Sequence, residues 1–159
     1  MPVRVGSLVN GHPYIEILVS PDGKKSAKQT ALVDTGFSGF ISIPIESAKL
    51  MGLKAHATAL YTLANGKTSN PVPLAHGYAC LEGDPFVQGL FSISEHASTV
   101  VGMDFLIRCR KVLVIAANGI LTMDAAEFEA SLKHSSALGN EATANAPTKA
   151  KTESLIEEK

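Results

Sequence analysis

The chain has 159 residues, of which 45% are hydrophobic and 18% charged, a composition typical of one globular domain. Its net charge of −1 gives no support to nucleic-acid binding. No apolar run is long enough to span a bilayer, and the first residues lack the apolar region of a signal peptide, so we expect a cytoplasmic protein with no membrane partner and with Cys80 and Cys109 as reduced thiols.

The first half of the chain is typical of strands joined by tight turns. Asn10-Gly11 and Asp22-Gly23 lie between apolar segments and predict turns, the first of them a hairpin. Residues 44–52 predict a short helix, because a proline stands near the start, a lysine in the last turn and a glycine at the end. The predicted strands here cover residues 3–9, 14–19 and 30–33.

The second half continues the strand pattern. Asn65-Gly66 and Asn118-Gly119 predict two more hairpins, and a helix is predicted over residues 105–110 with Asp104 as its N-cap. The predicted strands here cover residues 58–64, 67–74, 78–81, 86–93, 99–101, 112–116 and 120–123.

The C-terminal part of the sequence divides at His134. Residues 125–133 are typical of a helix, whereas the chain from His134 onward has little apolar content apart from alanine. We therefore expect a folded domain over residues 1–133 and a disordered tail over residues 134–159. The alternative is a segment that becomes ordered when it binds a partner.

One motif indicates chemistry. The apolar strand Ala31-Leu32-Val33 runs into Asp34-Thr35-Gly36, and a second apolar run follows at residues 40–43. A charge between apolar strands is unfavourable unless hydrogen-bond donors hold it, so the pattern indicates a positioned carboxylate. A plain turn is the other interpretation, because Asp, Thr and Gly are common turn residues.

A second segment favours the positioned carboxylate. Val100-Val101-Gly102 is an apolar pair followed by a glycine, which suits a place where two backbones approach closely. With these two motifs the chain resembles the retropepsin-like aspartic proteases over about residues 3–125. Because Phe37 follows Gly36, the motif is most similar to that of a prokaryotic single-domain branch of these proteins.

The resemblance implies an all-β fold, a closed retropepsin-like β-barrel with short helices, and an aspartic endopeptidase acting on a peptide or protein substrate. In such enzymes two carboxylates about 3 Å apart share one proton and activate a water molecule. Because the chain has a single Asp-Thr-Gly, a homodimer is implied, with the two catalytic Asp34 side chains at its axis. Thr35, Gly36 and Gly102 are the implied supporting residues.

The resemblance also implies a flap over the substrate at the predicted hairpin Asn65-Gly66, where Asn-Gly favours a type I′ turn. Phe37 lacks the hydroxyl group that Ser or Thr provides at this position in pepsin-like enzymes, and Ser38 is the candidate replacement. Asp104 is interpreted as a helix cap rather than as a second catalytic carboxylate.

Two alternatives to a homodimeric enzyme remain open. One is a noncatalytic retropepsin-like dimer that binds an extended peptide as an added strand. The other is a protomer that pairs with a different retropepsin-like chain. No metal or cofactor is expected, because the five histidines and two cysteines have no spacing typical of a metal site.

Overall fold

The computed structural model describes residues 3–144, which form ten strands and three helices. These residues fall into two units, divided after Ala125. The strands are β1 Val3–Val9, β2 His12–Ser20, β3 Ala27–Val33, β4 Ile41–Pro44, β5 Ala55–Ala59, β6 Val72–Cys80, β7 Val87–Ser94, β8 Thr99–Val101, β9 Lys111–Ala116 and β10 Gly119–Asp124. The helices are α1 Ile45–Met51, α2 Met103–Arg108 and α3 Ala125–Ala144.

Six of the strands close into a barrel. Their order around it is β2-β3-β8-β4-β7-β6, and β6 pairs back onto β2 through Leu18 with Cys80 and Ser20 with Tyr78. The other strands extend the sheet beyond the ring, β5 from β6 and β1, β10 and β9 from β2. The predicted all-β architecture, a closed barrel with few short helices, is confirmed.

The barrel interior is the hydrophobic core. Along β2, buried and more exposed side chains alternate, which is the period of a strand with one face in the core. Phe40 lies at the centre of an aromatic cluster, where its ring meets Phe91 and Phe105 edge to face at centroid distances of 5.4 and 5.5 Å. Phe40 is the last residue of the loop that begins at Asp34, and its burial therefore anchors that end of the loop in the core.

The start of α2 differs from the prediction. The N-cap is Gly102 rather than Asp104, which lies in the first turn of the helix. Backbone carbonyls replace a capping side chain, because Met103 N–H donates to Phe37 O at 2.8 Å and Asp104 N–H donates to Gly39 O at 3.2 Å. The loop after β3 thus accepts hydrogen bonds from two of the free N–H groups at this helix end.

Two of the predicted Asn-Gly hairpins are present, and their turns differ from each other. Asn10 and Gly11 have φ angles of 52° and 77°, as a type I′ turn requires. At the last hairpin the turn lies one residue earlier than predicted, because Gly119 already pairs with Ala116.

Helix α3 runs beyond the predicted residues 125–133. Residues 134–144, which the sequence assigned to a disordered tail, are helical, and alanine, leucine and glutamate in this segment favour a helix. The rest of the predicted tail, residues 145–159, lies outside the described residues, and the domain boundary at residue 133 stays a prediction. Within residues 3–144, no helix combines the length and apolar character needed to cross a membrane.

Candidate active site

The Asp34 loop, residues 34–40, connects two strands that do not pair with each other. Strand β8 lies between them, parallel to β3 and antiparallel to β4. Asp34 N–H donates to Val101 O and Gly102 N–H donates to Phe40 O, both at 3.0 Å. Because the end of β8 is bonded to both ends of the loop, the position of Asp34 is fixed by the barrel.

Gly102 lies where the α2 end of β8 contacts this loop. A Cβ atom on Gly102 would stand 2.2 Å from Gly39 O and 2.5 Å from Phe37 O, both far inside contact distance. Any larger residue would force the loop away from β8. Gly102 thus permits the close backbone approach on which the loop conformation depends.

The Asp34 carboxylate lies on the exposed side of the loop. Gly36 N–H donates to Asp34 Oδ1 at 2.9 Å, and Phe37 N–H donates to the Asp34 carbonyl oxygen at 3.2 Å. Thr35 is exposed as well, and within residues 3–144 its hydroxyl group makes no hydrogen bond. The chain therefore presents a single oriented carboxylate beside a free hydroxyl group at its surface.

Phe37 provides packing in place of the hydroxyl group of pepsin-like enzymes. Its ring covers Gly39, where an added Cβ would lie 2.4 Å from Phe37 Cζ. The ring also meets Tyr61 edge to face, with the centroids 6.2 Å apart. Ser38, the candidate replacement for the missing hydroxyl, is exposed and lines the same cleft as Asp34.

That cleft has a volume of about 540 Å³. The Asp34 loop forms one side of it, and residues 61–64 form another. Strands β4, β7 and β8 contribute Ser42, Ser92, Ser94 and Val100, and His96 also lines it. Among the lining residues that the structure describes, Asp34 is the one carboxylate, so a second acid must come from elsewhere if the cleft is to work by paired carboxylates.

The hairpin at Asn65-Gly66 has a longer and less regular loop than predicted. Strand pairing of β5 with β6 ends at Ala59 and Val72, and an isolated bridge joins Thr62 to Thr68 farther out. Tyr61 N–H and Tyr61 O also bond to Ser69, through Ser69 Oγ at 2.9 Å and Ser69 N–H at 2.7 Å. The hairpin is therefore held by single contacts rather than by a continuous ladder.

The turn type at the tip of this hairpin was predicted wrongly. Gly66 has a φ angle of 77°, but Asn65 has a negative φ, so the turn is not type I′. Gly66 N–H donates to Leu63 O at 2.8 Å, which places the tight turn at residues 63–66, one residue earlier. The Asn65 side chain instead accepts a hydrogen bond from Lys67 N–H at 3.0 Å.

Comparison with solved structures identifies the fold. The chain is similar to a retropepsin-like aspartic protease from Rickettsia conorii, with a TM-score of 0.52 and 22% identity over 77% of this chain and 91% of that one. It is also similar to the EIAV protease in complex with the inhibitor HBY-793, with a TM-score of 0.52 and 14% identity over 67% of this chain and 96% of that one. The chain has the retropepsin-like fold. No protein-family model and no curated protein sequence matches it.

Several residues of the retropepsin-like cleft were not predicted from the sequence. Tyr61 was assigned to a strand of the hairpin, and Ser42, Ser94 and His96 had no motif around them. Ser42 and Ser94 meet because β4 pairs with β7 in parallel, a pairing between segments about fifty residues apart. The available signal was alternation along β7, which puts Ser92 and Ser94 on one face.

Proposed function

We propose that the protein is an aspartic endopeptidase, which cleaves peptide bonds with a water molecule activated by two Asp34 side chains at a homodimer axis. The observation that carries the proposal is the Asp34 carboxylate, oriented by Gly36 N–H at 2.9 Å and open to a cleft of about 540 Å³. The two similar solved structures bear protease names, one of them with a bound inhibitor, and this supports a peptide or protein substrate.

The chemistry needs an acid and a base on opposite sides of one water molecule. Two carboxylates about 3 Å apart cannot both ionise, so they share one proton. The ionised Asp34 takes a proton from water as the water oxygen attacks the peptide carbonyl carbon, and the protonated Asp34 gives its proton to the carbonyl oxygen. The leaving nitrogen then takes the proton held by the dyad and the C–N bond breaks. One hydroxyl group of the tetrahedral intermediate returns its proton to the dyad, which restores the shared proton. Gly36 N–H keeps one oxygen of each carboxylate in place.

The exposed position of Asp34 and Thr35 supports the homodimer. A protomer carries one Asp-Thr-Gly, and within residues 3–144 no second carboxylate lines its cleft. A twofold axis beside Asp34 would bring the second carboxylate, and the Thr35 hydroxyl groups could then bond across the axis.

Phe37 favours the second candidate, a noncatalytic dimer that binds extended peptides. The ring contacts Tyr61 rather than offering a hydroxyl group to the Asp34 carboxylate. A site without that hydrogen bond could keep the cleft and lose hydrolysis. The two candidates differ in whether Asp34 is needed for cleavage or only shapes a binding cleft.

We further propose a cytoplasmic location. Cys80 and Cys109 are free thiols. Burial is the main cause that raises the pKa of the Cys109 thiol to about 12, with the charge of Asp84 adding to it. A half-buried thiol that stays protonated suits a packing role, as expected for cysteines in a reducing compartment.

The test is cleavage of a peptide library from acid to neutral pH by the wild-type protein and by Asp34→Asn. An endopeptidase loses cleavage in Asp34→Asn, whereas a noncatalytic binder cleaves nothing and keeps its peptide affinity after the substitution. Cleavage that survives Asp34→Asn would overturn the proposal.

Subunit exchange then tests the shared dyad. When wild type and Asp34→Asn are mixed equally, random pairing leaves about one quarter of the dimers fully wild type, against about one half before exchange. Activity should therefore fall about twofold as exchange proceeds. Constant activity during an exchange that is verified by mass spectrometry would place both acids within one protomer and contradict the dyad.

A further inference from the structure

The floor of the cleft carries hydroxyl groups. Ser42 on β4 and both Ser92 and Ser94 on β7 line the cleft, and β4 and β7 are parallel neighbours with Ser42 opposite Ser92. These three residues are called the serine floor below. Ser92 is 3% exposed, so part of the floor has left bulk water.

The serine floor has unused hydrogen-bonding capacity. The Ser42 and Ser94 hydroxyl groups share one hydrogen bond of 3.2 Å, so one of the two hydrogens remains free to be donated. Ser92 Oγ lies 3.5 Å from the Ile41 carbonyl oxygen, a long contact. Both oxygens of the Ser42–Ser94 pair keep lone pairs that can accept. The floor therefore offers a ligand a donor and an acceptor side by side.

The serine floor lies near the reacting carboxylate. Across the sheet, Val100 stands between Leu32 on β3 and Ser42 on β4, and Asp34 follows shortly after Leu32. With neighbouring strands about 4.8 Å apart, the backbone of Ser42 lies about 10 Å from that of β3. An extended peptide advances about 3.3 Å per residue, so a side chain within about three residues of the scissile bond reaches the floor.

We propose that the serine floor is a specificity subsite for a carboxamide side chain, glutamine or asparagine, within about three residues of the scissile bond. This inference rests on the proposed function. A carboxamide both donates and accepts, and so matches the Ser42–Ser94 pair in both senses. A carboxylate only accepts and would be repelled by Asp34, while an ammonium group only donates. A leucine or methionine side chain would leave the hydroxyl groups without partners once water is displaced.

The first test is the cleavage profile of the wild-type protein, with kcat/KM compared for near-isosteric pairs of peptides, glutamine against methionine and asparagine against leucine. At one position within about three residues of the scissile bond we expect the carboxamide to be favoured about tenfold. Ser42→Ala with Ser94→Ala should bring that ratio close to one or reverse it. Ser94→Thr, which keeps the hydroxyl group, should preserve the ratio.

The control is Ser7→Ala, because Ser7 is an exposed serine on β1 that does not line the cleft. It should leave the ratio unchanged. Asp34-dependent cleavage that favours methionine or leucine at every position, or a carboxamide preference that survives the double alanine variant, would overturn the subsite while leaving the proposed function intact.

Peptide binding separates the two failures. The same peptides, labelled for fluorescence anisotropy, are titrated against Asp34→Asn, with and without the two serine substitutions. Without any cleavage by the wild type, the proposed function fails, but a carboxamide preference in binding that disappears in the serine variant still supports the subsite. Equal affinity for carboxamide and apolar peptides overturns it.

Discussion

The ring of Phe37 meets the ring of Tyr61 edge to face, with the centroids 6.2 Å apart. This contact joins the Asp34 loop to the hairpin that lines the same cleft. The hairpin has an isolated bridge and single hydrogen bonds beyond β5 and β6, so the ring pair is a substantial part of what positions it.

We expect the two rings to be energetically coupled. In a double-mutant cycle with Phe37→Ala and Tyr61→Ala, the unfolding free energies should deviate from additivity by about 0.5–1.5 kcal/mol. Urea denaturation of the four proteins measures this. Phe37→Ala with Tyr14→Ala is the control pair, since Tyr14 lies on β2, and its effects should add. Additive losses for Phe37 and Tyr61 would contradict the coupling.

Gly102→Ala should destabilise the protein by about 1–3 kcal/mol or more, because its Cβ would stand 2.2 Å from Gly39 O. Gly36→Ala is the matched control within the same site, where the nearest atom to an added Cβ is Asp34 Oδ1 at 3.2 Å. Gly36→Ala should destabilise the protein less than Gly102→Ala does, and it should disturb the Asp34 carboxylate instead. Chemical denaturation compares them, and equal losses would show that β8 and the loop can separate without strain.

Thr35→Ala should weaken self-association about tenfold, the effect of losing one or two hydrogen bonds at a symmetric interface. Thr35→Ser keeps the hydroxyl group and should associate like the wild type. Sedimentation equilibrium over a range of concentrations measures the dissociation constant. A wild-type protein that stays monomeric at the highest concentration would refute the homodimer.

Gly66→Val should reduce peptide turnover or affinity more than it reduces stability. The φ angle of 77° at Gly66 is unfavourable for a β-branched residue, so the tip of the hairpin must rearrange. Gly66→Asn is the control, since asparagine tolerates this conformation. Kinetics and thermal unfolding are compared for both variants. Normal turnover and affinity in a folded Gly66→Val protein would remove the flap role proposed for Asn65 and Gly66.

Lys111→Met should lower the unfolding free energy by about 1–3 kcal/mol at neutral pH. Lys111 Nζ lies 2.9 Å from Asp124 Oδ1 and 3.0 Å from Asp84 Oδ1, and its side chain is 15% exposed. The hydrogen bond to Asp124 is the main cause that raises the pKa of Lys111 in the folded protein above 10.5, and the hydrogen bond to Asp84 adds to it.

The raised pKa of Lys111 also gives the sign of a pH effect. A group whose pKa is higher in the folded state stabilises the protein fully below its unfolded pKa, and that contribution disappears as pH rises through the folded pKa. The stability difference between wild type and Lys111→Met should therefore shrink as the pH rises above about 10.5. A constant difference over that range would exclude a charge effect.

What the sequence could predict was local. The Asp34 motif and Gly102 are each readable from a few consecutive residues, and the strand and turn patterns around them indicated an all-β chain. The Asp104 cap was predicted wrongly because the groups that cap α2 are carbonyls of Phe37 and Gly39, which no local pattern reveals. The helix is capped by a loop that is distant in sequence, whereas the predicted cap was a neighbouring side chain.

The cleft needed long-range information. Ser42 meets Ser94 only because β4 and β7 pair in parallel, and a register shift of one residue would have turned both side chains to the other face. The turn at Asn65 failed for a related reason. Asn-Gly favours a type I′ turn when the two strands are paired up to the turn, whereas the pairing of β5 with β6 ends at Ala59 and Val72.

The position of β8 between β3 and β4 has a consequence for biosynthesis. The strands on either side of Asp34, β3 and β4, cannot pair with β8 until residues 99–101 have been translated and have left the ribosome. Pairings between segments so far apart in the chain form slowly, because a long loop must close first. A nascent chain would therefore carry Asp34 without its supporting backbone. Under the proposed function, an unfinished chain has no assembled site with which to cleave the translation machinery around it.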